Sequence, residues 1–112
     1  MDLPLSPPVF HVLLALGDEA LHGYGIMQRF GALTGGEEHL LPGTLYATLS
    51  RMLESGLIEE APSPEGERSG GAPRRHYRAT SLGREAARAE GERMRRLVEV
   101  ARRQALLAEP GR

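Results

Sequence analysis

The chain contains no cysteine, which excludes disulfides, thiolate metal sites and cysteine-based redox sensing. It contains no lysine either: all fourteen basic residues are arginine, a side chain suited to bidentate phosphate contact, although a GC-rich coding sequence would give the same bias. Nor is there an apolar run near the ~20 residues a membrane span needs, or a leader with a basic start and an apolar centre. A soluble, cytoplasmic protein with no membrane partner is the expectation. Four histidines remain as potential ligands, His11, His22, His39 and His76. No two stand at a helical i, i+4 spacing beside a carboxylate, so neither a metal nor a cofactor is expected. There is no nucleophile–base pair and no glycine-rich phosphate loop, so the chain does not read as an enzyme.

What is present suits one small domain, with an extra helix that needs a partner: 112 residues, 40% hydrophobic. A net charge of −1 conceals an asymmetry. Residues 1–67 hold ten acids against Arg29 and Arg51, near −8, whereas residues 68–112 hold twelve arginines against five acids, near +7.

The stretch from Leu40 to Ile58 organises the rest. Pro42 suits a first helical turn, where its missing N–H is not needed, and Gly56 suits a left-handed C-terminal stop. Between them Leu45, Leu49, Met52 and Leu53 recur as one buried stripe. Thr44, Tyr46, Ala47, Thr48, Ser50 and Arg51 are left on the outer surface. That surface carries hydroxyls, one ring and one arginine, and no acid before Glu54, so it can lie against a polyanion.

Ahead of it, Pro7-Pro8 leads into a helix over Val9–Leu16 with Phe10, Leu13, Leu14 and Leu16 as its apolar side. Glu19–His22 reads as a connector. A second helix opens at His22, with Tyr24, Ile26, Met27, Phe30 and Leu33 as its apolar set and two early glycines suited to close packing. The turn Thr34–His39 joins it to the helix after Pro42, which makes a helix-turn-helix whose second helix is the one that enters a major groove. After Gly56, Leu57–Ala61 and His76–Ala79 read as two strands of a hairpin with a polar tip between them. Its return side carries Arg68, Arg74, Arg75 and Arg78 with no acid, the pattern of a wing tracking phosphates. From Leu82 to about Ala108 runs one long helix, supported by Glu92–Arg96 and Glu99–Arg103 pairs. Its narrow stripe of Met94, Leu97, Val98, Ala101, Ala105 and Ala108 has nothing intramolecular to cover it, and a second copy of the chain is the economical partner.

Four segments in order, His22-Gly23-Tyr24, Pro42–Tyr46, Leu49–Glu59 and Arg74–Gly83, resemble the PadR family of bacterial transcriptional regulators over about residues 9–90. The resemblance implies a mainly α fold with a small β-hairpin: a winged helix-turn-helix DNA-binding domain over residues 1–81, wing about 57–79, then a C-terminal dimerisation helix and tail over residues 82–112. It implies a homodimeric repressor released from its operator by a small-molecule effector. It places Thr44 and Tyr46 on the DNA-facing helix, Tyr24 near the backbone or core, Arg74, Arg75 and Arg78 on the wing, and Thr80 and Gly83 at the turn into the last helix. The chain departs from the family pattern at Leu41, where a capping serine is common, at His76 and Ala79 in the wing, and in lacking the tryptophan with which drug-binding relatives clamp flat ligands.

The leading expectation is therefore a sequence-specific regulator that contacts double-stranded DNA through Tyr24, Thr44, Tyr46, Ala47, Ser50 and Arg51 and through the wing arginines Arg68, Arg74, Arg75 and Arg78. Arg51, near its helix end, is best suited to phosphate. The alternative is a winged-helix protein–protein interaction module without DNA binding, motivated by the −8 charge of residues 1–67.

Overall fold

In the computed structural model, residues 2–63, 68–69, 72–73 and 75–108 are described. Four helices, α1 (Pro7–Leu16), α2 (Gly23–Leu33), α3 (Pro42–Ser55) and α4 (Ser81–Arg103), are interleaved with five short strands, β1 (Leu21–His22), β2 (Ile58–Ala61), β3 (Arg68–Ser69), β4 (Ala72–Pro73) and β5 (His76–Ala79).

The winged helix-turn-helix is present with one more strand than a hairpin. β2 and β5 pair antiparallel with Ile58 opposite Ala79 and Ala61 opposite His76. The supposed connector before α2 is β1, which adds to the other edge of β5 with Leu21 opposite Tyr77 and His22 opposite His76. It was missed because two residues are too few to show an alternating pattern. Farther out, β3 and β4 form a separate antiparallel ribbon, Arg68 opposite Pro73 and Ser69 opposite Ala72.

The core sits where α1, α2 and α3 meet the inner face of the sheet, with Leu16, Ile26, Phe30, Leu45, Leu49, Met52 and Ile58 almost completely buried. α1 begins at Pro7, two residues earlier than expected, because both prolines fit its first turn. It turns Val12 and Ala15 inward, whereas Leu14 is exposed. Likewise Ile26 and Phe30 anchor α2, while Tyr24 and Leu33 lie outside. The apolar set expected for α2 was too wide, since a helix packed on one side buries only a stripe, whereas that expected for α1 included Leu14 and left out Val12 and Ala15.

α3 keeps its expected ends. Pro42 stands in the first turn, and Gly56 closes the helix at φ +77°, a left-handed backbone that favours glycine. Leu41, at its N-cap, supplies no side-chain hydrogen bond. At the end of β5, Thr80 stitches the sheet to α4. Its N–H donates to the Leu57 carbonyl at 3.1 Å, its hydroxyl donates to the Gly56 carbonyl, and its oxygen accepts the Gly83 N–H at 3.1 Å. Gly83 is pressed so close that a Cβ there would stand 2.0 Å from the Leu57 carbonyl oxygen.

α4 ends at Arg103, not near Ala108. Ala105 adopts φ +59°. The Leu106 N–H reaches back to the Ala101 carbonyl at 2.8 Å, and the Ala105 N–H to that of Arg102 at 3.1 Å. This is a closing turn that satisfies the last carbonyls and bars continuation. Ala105 and Ala108 therefore leave the helical stripe. The intrahelical ion pairs also differ from expectation: they run Glu90–Arg93, Glu92–Arg95 and Glu99–Arg102, at i, i+3 rather than i, i+4. Among the described residues no helix is long and apolar enough to cross a membrane.

Candidate nucleic-acid interface

α3 is the second helix of the helix-turn-helix, and its polar side faces out. Thr44, Tyr46, Ala47, Ser50 and Arg51 are all exposed. On the helical wheel Gly43, Ala47 and Ser50 form the middle of that face, Tyr46 one edge, and Thr44 with Arg51 the other. Thr48 does not belong to it. It is completely buried, because its position falls on the same side as Leu45 and Met52. The Arg51 guanidinium reaches back toward the Thr48 hydroxyl at 3.5 Å, which inclines the cation along the helix rather than straight outward.

Two features of α2 shape the neighbouring edge. His22 caps the helix, its Nδ1 accepting the Gly25 N–H at 2.9 Å, which satisfies one of the orphan donors of the first turn. The Tyr46 ring leans onto Gly23, where a Cβ would meet its hydroxyl oxygen at 2.7 Å. The early glycine is thus a packing site. Tyr24, expected near the backbone or core, is exposed, with its ring roughly parallel to that of His22 at 6.5 Å between centroids. The substituted wing position His76 is buried and meets His22 edge-on at 5.3 Å. The pair ties the wing root to the start of α2.

On the wing, Arg75 and Arg78 are exposed but not bare. Arg78 Nε donates to Glu59 at 2.8 Å, and Arg75 lies 3.5 Å from Glu60. The register explains this, since Glu59 stands directly opposite Arg78. The return side is itself free of acid, but strand pairing sets the carboxylates of the facing strand against its arginines. Arg68 lies in β3, whereas Arg74 lies outside the described residues.

The second surface is on α4. Its three buried residues, Gly83, Ala86 and Glu90, all fall in its first half. Beyond them Met94, Leu97 and Val98 stand about half exposed, with Ala101 intermediate. Glu90 is the exception to an apolar face: it is buried, and both its oxygens accept from Arg93 at 2.8 Å. That hydrogen bonding, with a further one from the Leu5 backbone, holds its carboxyl below the usual glutamate range.

A cavity of about 650 Å³ lies between α2 and the wing root, lined in part by Leu21, His22, Gln28, Arg29, Leu33 and His76. Among the described residues no three His, Asp or Glu side chains gather into a group that could hold a metal ion.

The profile of the transcriptional regulator PadR-like family matches residues 12–89. The fold is similar to that of a PadR family transcription regulator from Clostridium difficile R20291, at 24% identity and a TM-score of 0.70, covering 88% of this chain and 97% of that one. It is similar to a PadR family regulator from Eggerthella lenta DSM 2243, at 24% identity and a TM-score of 0.67, over 89% and 82% of the two chains. The crystal structure of Bacillus subtilis PadR in complex with operator DNA matches at 20% identity and a TM-score of 0.60, over 72% of this chain and 44% of that one. No curated protein sequence matches. At these identities the solved structures carry the fold, and the profile carries the family. With more than half of its residues matched, this chain belongs to the transcriptional regulator PadR-like family.

Proposed function

We propose that the protein is a homodimeric, sequence-specific DNA-binding repressor that lays one α3 from each copy in successive major grooves of an inverted-repeat operator. The observation that carries this reading is the outer face of α3, exposed and free of acid from Thr44 to Arg51 on the second helix of a helix-turn-helix. Ala47 and Ser50 face base edges, Thr44 and Arg51 the backbone at one side, and Tyr46 with Tyr24 the backbone at the other. Arg68, Arg74, Arg75 and Arg78 follow the flanking phosphates. The likeness in fold to a PadR captured on operator DNA supports it.

In this reading residues 1–81 read the operator, and residues 82–112 join the copies through Met94, Leu97, Val98 and Ala101. A small-molecule effector would release the DNA. The cavity at the wing root is of a size that small ligands occupy, and its walls belong to α2, β1 and β5, so an occupant there would bear on the wing.

Selection of bound duplexes from a random-sequence pool tests the reading. An enriched inverted repeat with half-site centres about one helical turn, 34–36 Å, apart is expected. Recovery of no sequence preference under any ionic condition would overturn it.

A further inference from the structure

His22 stands where the start of α2 meets the root of the wing. Its Nδ1 accepts the Gly25 N–H at 2.9 Å and so caps α2. Its ring meets that of His76, directly opposite on β5, edge-on at 5.3 Å, and lies nearly parallel to that of Tyr24 at 6.5 Å. The next residue in the chain is Gly23, the seat of the Tyr46 ring. One imidazole thus ties the first turn of α2, and with it the places of Tyr24 and Tyr46, to the strand that carries the wing arginines.

The cap also dictates where a further proton can go. Because Nδ1 is the acceptor, the neutral ring carries its hydrogen on Nε2, and acid can add a proton only at Nδ1. The imidazolium has no acceptor left, so the Gly25 N–H loses its partner. The new cation would also stand at the positive end of the helix dipole, with no acid in the first turn of α2 to offset it. The surrounding charges bring no relief. On α2, Tyr24 is neutral, and Arg29, which shares a cavity wall with His22 and His76, is ion-paired with Glu19. On β5, His76 is a second imidazole, Tyr77 lies opposite Leu21, and Arg78 is held by Glu59.

Resting on the DNA-binding reading above, we propose that His22 is a positioning residue for DNA binding and that the duplex is held with its ring neutral, so that acid releases the DNA. The effect runs against simple electrostatics, since added positive charge should tighten attachment to a polyanion. Below the usual imidazole value of about 6.5, seating the α2 cap must first expel a proton.

Two variants separate the cap from the charge. His22→Asn keeps a capping acceptor at the same position without a titratable group, and His22→Ala removes both. Each is titrated beside the wild type into a fluorescent duplex of its own upstream intergenic DNA, at one low salt concentration, from about pH 8 to about pH 5.5. Circular dichroism confirms folding. At the upper pH, His22→Ala is expected to bind about fivefold more weakly than the wild type, the equivalent of a lost helix cap, and His22→Asn to restore the binding. As pH falls, the wild type should drop toward the level of His22→Ala while His22→Asn stays above it. Parallel profiles of the wild type and His22→Asn would overturn the proposal, as would His22→Ala binding as tightly as the wild type at neutral pH. Should His22→Ala fail to fold, the comparison of the wild type with His22→Asn decides alone. No association of the wild type with DNA at neutral pH would overturn the proposed function and this inference together, whereas parallel profiles strike only the inference.

Discussion

Tyr46 rests on Gly23, the first residue of α2. A Cβ on Gly23 would stand 2.7 Å from the Tyr46 hydroxyl oxygen and 3.0 Å from its ring, so the smallest residue at the start of one helix sets where the largest residue of the next helix points. Tyr46 is itself about half exposed, which leaves its ring free to swing outward if displaced.

The Gly23→Ala variant should therefore separate folding from function. Its denaturation midpoint should correspond to a stability change within about 1 kcal/mol, since the clash is relieved by a solvent-facing ring and alanine favours the helix. Its affinity for the operator should fall several-fold as Tyr46 leaves its place. Unchanged affinity would show that the position of the ring does not bear on binding.

Gly83 should behave in the opposite way. There the obstruction is the Leu57 carbonyl oxygen, 2.0 Å from a built Cβ, and backbone cannot step aside. Gly83→Ala is expected to lower stability by about 3 kcal/mol, at the upper end of overpacking effects. Gly91→Ala, in open space on the same helix, should raise it by about 0.5–1 kcal/mol. Chemical denaturation of the two variants side by side checks both signs.

The wing pairs should matter to DNA more than to folding. Arg78 and Glu59 are each about half exposed, and surface pairs of this kind contribute under about 1 kcal/mol. Arg78→Ala should leave stability nearly unchanged, weaken binding to cognate and random duplex alike, and reduce the slope of log affinity against log salt by about 1. Glu59→Gln should tighten binding, because it releases that guanidinium to a phosphate. Titrations across a salt series of both variants decide the matter. Loss confined to the cognate sequence would mean that Arg78 reads bases.

Glu90 gives a pH signature. Its carboxyl is held below the usual glutamate value of 4.5, first by hydrogen bonding to Arg93. A depressed folded-state pKa contributes stability that is complete above the unfolded value and is lost as pH falls through the folded one. Acidification below about pH 4.5 should therefore destabilise the wild type more steeply than Glu90→Gln, a comparison that denaturation midpoints from pH 7 to pH 3 would make.

The helices were legible wherever the signal was local. Pro42 and Gly56 mark the ends of α3, and Leu45, Leu49 and Met52 mark its buried side, because helix caps and periodicity act within a few residues. What escaped depends on partners distant in sequence. Leu21 and His22 become a strand only because β5 lies beside them, and Arg75 and Arg78 are paired only because β2 brings Glu59 and Glu60 opposite. Thr48 looked outward by chemistry while its helical position turned it inward, and a threonine can be buried when its hydroxyl finds a neighbour. The end of α4 was misplaced because alanine at 105 gives no warning of a left-handed turn that glycine would have announced.

The proposed function requires that α3 and the wing bind a particular duplex. It is tested most directly by titrating the protein into a fluorescent duplex of its own upstream intergenic DNA, and into a scrambled duplex of the same composition, over a range of salt concentrations. Two chains per site are expected, with affinity that falls steeply with salt on both duplexes and a preference for the upstream sequence that persists as salt rises. Equal binding to the two duplexes at every salt concentration, or no salt-sensitive association at all, would contradict it.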